Sequence, residues 1–156
     1  ELAAAMAQGG TTAACRACVE VMRGAGEAMR QRLPPRMASA LGREWALGFH
    51  RLLLKHLRTQ VISDQGALIL RHDLRCYAEA VHESLPGGNG EQVMELYGLL
   101  EELGNLYVVR PENLRPLLQE GRLARIDTTL LIPYLAQRAD WREAAREQLG
   151  EELLVG

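Results

Sequence analysis

From Arg36 to Arg58 the chain places Met37, Leu41, Trp45, Phe49, Leu52, Leu53 and Leu57 at three- and four-residue spacing. That period follows the turn of an α-helix, so the seven side chains share one face, which is expected to be the core face. At about 1.5 Å per residue the helix would be roughly 34 Å long, enough to act as a spine. Arg36, Arg43, Arg51, Lys55 and Arg58 fall largely off the stripe. An apolar face of this length has to be buried against further helices or a sheet. Composition favours helices: Leu, Ala, Arg and Glu dominate, Ile is scarce, and aromatic residues are only 4%. The expected fold is all-α, an antiparallel helical bundle, and 156 residues suffice for one domain.

Cap and turn residues divide the rest. Thr11 or Thr12 can cap a helix running toward Leu33, with Cys15, Cys18, Val19, Met22 and Met29 as a patchy apolar stripe. Pro34-Pro35 ends it, because the residue before a proline avoids helical backbone. Val61-Ile62 is too short for a strand, and Ser63-Asp64 opens a helix lined by Leu70, Leu74, Tyr77, Val81 and Leu85. Gly87-Gly88-Asn89-Gly90 is read as a turn and is expected to be mobile. A helix from Glu91 to about Val108 is expected to bury Val93, Leu96, Leu99, Leu100, Leu103 and Leu106. Pro111 suits the start of a short helix that Gly121 closes, and Pro116 keeps it short or bent. Asp127 can cap a last helix packed through Leu130, Leu131, Tyr134, Leu135 and Trp141, in which Pro133 is expected to introduce a kink or delay the start. The tail carries Leu153-Leu154-Val155, which could dock on the bundle or on further chain.

No side-chain pattern supplies a reactive centre. Cys15-Arg16-Ala17-Cys18 has Cys-x-x-Cys spacing, but a zinc site needs a second pair of ligands and a thioredoxin-like site needs a preceding strand. Reduced, buried or half-buried thiols are expected at Cys15, Cys18 and Cys76. His50 and His56 point about 120° apart on a helix, and His72 and His82 lie about 15 Å apart along one. His50 is therefore read as a hydrogen-bonded structural histidine. Glu101-Glu102 and Glu151-Glu152 diverge on a helix, and Gly87 to Gly90 lacks the Lys-Ser or Lys-Thr of a phosphate loop. Ser39, Ser63 and Ser84 have no nucleophile-elbow context. In Arg138-Ala139-Asp140-Trp141, Trp141 is expected to pack while Arg138 or Asp140 forms an exposed helix-end ion pair. No catalytic, cofactor-binding or metal-ligating residue is assigned, and no position is singled out for partner binding.

Net charge is only −2, which leaves no global footprint for nucleic acid. Its distribution is uneven. Residues 1–59 hold nine basic and four acidic residues, giving +5, whereas 60–156 hold nine basic and sixteen acidic, giving −7. One consequence to test is a basic helical face around Arg16, Arg23, Arg30, Arg36 and Arg43 that binds anionic lipid. No apolar run reaches the roughly 18 residues of a membrane span, and Leu2 to Ala7 lacks the basic leader of a secretory signal. A cytosolic protein with at most peripheral membrane contact is expected. Without a starting Met the chain reads as a segment of a longer protein.

Four motifs carry a family resemblance. Phe49-His50-Arg51-Leu52 is followed by His56-Leu57, and Gly66, Asp73 and Tyr77 recur along the next helix. Then come Leu103-Gly104-Asn105-Leu106 with Pro111-Glu112-Asn113-Leu114, and Gly121 through Asp127 followed by Gln137 to Trp141. In this order they resemble the C-terminal region of exocyst component five, the Sec-ten subunit of the exocyst tethering complex, over about residues 42–148. Fungal recyclins, F-box proteins that share a Sec-ten-like region, are the alternative. The chain departs from the family at Gln65, where a second glycine is common, at Pro133, and at the Gly-rich joint after Pro86. Residues 1–33 carry no family motif. The resemblance implies a non-enzymatic segment of a helical rod in a vesicle-tethering subunit, without cofactor. It implies the other exocyst subunits as partners, the Sec-fifteen neighbour in particular, and an Arf- or Rab-type small GTPase. Residues 1–35 would be a helix continuing from upstream chain, and 36–156 the C-terminal bundle. A helical ligand-binding or regulatory domain stays open as a reading from another class, and would need an apolar pocket with convergent polar groups.

Overall fold

The computed structural model describes residues 10–141. Four long helices run α1 (Ala13–Arg32), α2 (Pro35–Leu57), α3 (Asp64–Ser84) and α4 (Glu91–Val108). A 3-10 turn at Pro111–Asn113, the short α5 (Leu114–Gln119), a second 3-10 turn at Leu123–Arg125, and α6 (Thr128–Leu135) follow.

Starts and stops come from the cap residues. The Thr12 hydroxyl accepts from Cys15 N, the Ser63 hydroxyl from Gly66 N, and the Asp127 carboxylate from Thr129 N. Pro35 occupies the first position of α2, where its missing N–H costs nothing. The joint at 87–90 is closed by hydrogen bonds from Gly88 N to Leu85 O and Gly90 N to Gly87 O. Pro133 lies inside α6 and does not delay its start, and the helix ends two residues later.

Helices joined by short turns alternate in direction. Phe49 meets Tyr77 while Gly42 approaches Pro86, and Tyr97 meets His82 while Gly104 approaches Leu74, so α2 and α4 run antiparallel to α3; Thr12–Asp73 and Arg30–Ser84 set α1 parallel to it. The hub is α3, which packs most extensively against α4 and then α1. One core runs through all of them, including Cys15, Met22, Ala46, Leu74, Val81, Val93, Tyr97, Leu106, Leu123 and Leu135.

The expected core face of α2 is corrected. Leu57 is buried and Trp45, Phe49 and Leu53 are half-buried, but Met37, Leu41 and Leu52 face solvent. Ala38, Gly42, Ala46 and His50 take their place in the core. The reason is close approach: a Cβ on Gly42 would fall inside van der Waals contact of Pro86 O, and one on Gly26 of α1 would meet Ser84 O. Backbones that come this near need small residues between them, and the large side chains of α2 rotate outward. The spine of the bundle is α3, and α2 is an outer helix. Leu130 of α6, expected to pack, is also exposed.

Candidate docking surface

The motif residues form joints between helices. Asp73, buried on α3, accepts from Thr12 N at 3.0 Å and from the Thr12 hydroxyl at 2.6 Å, so one carboxylate anchors the start of α1. Cys15 beside it is buried, its thiol directed at Asp73 O, and burial pushes its pKa up. That thiol is a packing group. Cys18 and Cys76 are half-buried and free. Tyr77 meets Phe49 edge-on at 5.2 Å between ring centroids, and the Tyr97 hydroxyl donates to Ala46 O at 2.9 Å. Tyr97 thus ties α4 to the small-residue face of α2.

His50 lies in the same seam, 5.6 Å from the Tyr97 ring, and His82 lies 5.8 Å from that ring. Burial lowers its pKa below the ordinary 6.5, the neighbouring Arg51 charge adds to this, and a hydrogen bond with the Leu96 backbone opposes it. A histidine held neutral by the fold stabilises it above pH 6.5, and this stability is lost as pH falls through the folded-state pKa. Urea midpoints measured from pH 7 to 5 should therefore fall, and His50→Leu should flatten that part of the profile. Equal slopes for the two proteins would remove His50 as the cause.

Arg138 departs most from its expected role. Its side chain is only 5% exposed. One guanidinium nitrogen donates to Leu106 O and to Val109 O at the end of α4. The opposite edge makes a two-pronged pair with Asp140, at 2.8 and 2.6 Å, and this guanidinium holds the Asp140 carboxyl below the usual range. Ile62 N donates to Gln137 O and Ala139 N to Ile62 O, a parallel bridge that fastens the 136–140 turn to the α2–α3 link. The expected exposed ion pair is instead a buried cap on α4. Trp141 is half-buried against the core, as expected.

An open groove of about 710 Å³ between α3 and α4 is lined by Arg71, His72, Arg75, Glu79, Glu102 and Arg122, among others. Its charges are largely spent on one another. Arg75 pairs with Glu79 at 2.9 Å, and the Glu102 carboxylate accepts from Arg122 N and Leu123 N. Among the described residues no group of three or more His, Cys, Asp or Glu could hold a metal ion, and no helix is long and apolar enough to cross a membrane. Of the large apolar side chains that face solvent among the described residues, three lie together on the outer face of α2. Met37, Leu41 and Leu52 are 59, 48 and 66% exposed, beside the exposed Arg36, Arg51, Lys55 and Arg58. This surface can bind, and the polar groups behind it are engaged in holding helices together.

The protein-family model described as exocyst complex component Sec10-like, alpha-helical bundle, matches residues 4–149. The chain belongs to this Sec10-like family. Mouse (Mus musculus) exocyst complex component 5 is 28% identical over 135 residues, which cover 86% of this chain and 18% of the relative. Human (Homo sapiens) exocyst complex component 5 is 31% identical over 102 residues, covering 65% and 14%. Exocyst complex component SEC10 of Saccharomyces cerevisiae is 29% identical over 90 residues, covering 58% and 10%. The chain thus spans less than a fifth of the length of these relatives. Within the Sec10-like bundle, Asp73, Tyr77 and Arg138 act as joints. Sequence reasoning missed the roles of Gly26 and Gly42, although the four-residue repeat Ala38, Gly42, Ala46 was a signal for a closely packed face.

Proposed function

We propose that this Sec10-like segment belongs to a non-enzymatic subunit of the exocyst vesicle-tethering complex. In this reading it acts in exocytosis by helping to dock secretory vesicles at the plasma membrane through protein–protein contacts. The observation that carries the reading is the family match over residues 4–149. The hydrogen-bonding economy of the fold supports it, because Asp73, Arg138 and Tyr97 each join two parts of the chain. A bundle braced in this way can hold binding surfaces at fixed spacing. The partners are the other exocyst subunits, the Sec-fifteen subunit in particular, with an Arf- or Rab-type small GTPase as a regulatory contact. The working location is cytoplasmic, peripheral at plasma-membrane sites of exocytosis.

The test is affinity purification of the full-length protein from its own cells, with mass spectrometry of what co-purifies. Exocyst subunits in near-equal amounts are expected. Ubiquitin-ligase adaptors in their absence would transfer the segment to a recyclin-like F-box adaptor, and neither set would overturn the tethering reading.

A further inference from the structure

The circumference of α2 divides into three sectors. At 100° per residue, the buried Ala38, Gly42, Ala46, His50 and Leu57 occupy one, and Met37, Leu41, Trp45 and Leu52 lie about 120° round from it. The cations Arg36, Arg43, Arg51, Lys55 and Arg58 fill the third, all exposed. Glu44 is the single acidic residue of the helix, 3.8 Å from Arg43. The apolar sector runs about 22 Å along the axis.

The structure relocates the basic face that composition suggests. Arg16 donates to Thr11 O and Arg30 to Ser84 O, so these two are committed to the fold. Arg36, Arg51 and Lys55 make no ion pair or hydrogen bond among the described residues, and Arg51 and Lys55 border the exposed apolar sector of the same helix.

We propose that this outer face of α2 lies against an anionic membrane leaflet. Met37, Leu41 and Leu52 enter the boundary between headgroups and acyl chains, and Arg36, Arg51, Lys55 and Arg58 meet acidic headgroups. Charge decides the occupant. Five cations along one edge, with one acid, match a continuous negative surface. The apolar strip is interrupted at Gly48, where a Cβ would meet nothing within 4 Å. A deformable acyl layer fills such a gap without a matching side chain. An apolar strip edged by Lys and Arg is the arrangement that holds a helix in the plane of an interface. The contact is independent of which subunits the chain assembles with.

Flotation of the purified full-length protein with phosphatidylcholine vesicles, with and without about one third phosphatidylserine, tests this directly. Acidic vesicles at low salt should bind at least about tenfold better than neutral ones, and added salt should erode the difference. One Lys or Arg near such a surface changes partition about fivefold, so the triple variant Arg36→Glu, Arg51→Glu, Lys55→Glu should lose about a hundredfold or more. Met37→Ser, Leu41→Ser, Leu52→Ser should lose about tenfold at every salt concentration. All six positions are exposed, so the variants should melt with the parent protein. No binding to acidic vesicles, equal binding to both kinds, or variants that bind like the parent would each overturn the proposal. Release of a co-purifying protein by these substitutions, with flotation unchanged, would reassign the face to a protein partner.

Discussion

Arg138→Met is expected to cost the 156-residue chain about 3 kcal/mol of stability, a fall of roughly 6–12 °C in Tm. Methionine keeps much of the apolar stem but strips Leu106 O and Val109 O of their donor and leaves the Asp140 carboxylate without its two-pronged partner. Buried acceptors without donors cost about 1–3 kcal/mol each, reduced here because Asp140 is 26% exposed and can recruit water. Arg138→Lys restores a charge without the planar fork, so it should recover only part of the loss. Thermal and urea unfolding of the three proteins check this. A loss below about 1 kcal/mol for Arg138→Met would mean that water replaces the cap without penalty.

Gly42→Val should be nearly as damaging, at about 2–4 kcal/mol, through a different cause. A side chain there is driven into the carbonyl of Pro86, a backbone atom fixed by the turn that ends α3, so α2 must lift away from its neighbours. Gly24 is the internal control: it also lies in a helix, but a Cβ there meets nothing within 4 Å, and Gly24→Ala should be neutral or stabilising by about 1 kcal/mol. Urea midpoints for the pair separate packing from helix propensity, since propensity alone predicts a gain at Gly24 and no loss of this size at Gly42.

The long helices were readable because their caps and proline stops act within a few residues of sequence. Thr12, Ser63 and Asp127 each accept from a backbone N–H no more than three positions ahead. The face that α2 buries was not readable from hydrophobicity, because backbone proximity at Gly42 and Gly26 outweighs the pull of Met37, Leu41 and Leu52 toward the core. Arg138 was legible as half of an ion pair with Asp140 but not as the cap of α4. Leu106 and Val109 lie 32 and 29 positions away, and nothing in local sequence announces such a partner. A separation of 61 positions hid the Thr12–Asp73 joint.

The parallel bridge between Ile62 and Arg138 also sets an order of events during synthesis. Arg138, which seals the end of α4 and the link after α2, is synthesised after all four long helices. Until then two carbonyls of α4 and both polar backbone groups of Ile62 depend on water. Closing so long a loop has an entropic cost but grows only slowly with length, so the late closure is feasible once Arg138 emerges. The 136–140 turn therefore works as a latch that can engage only after the four long helices have been synthesised.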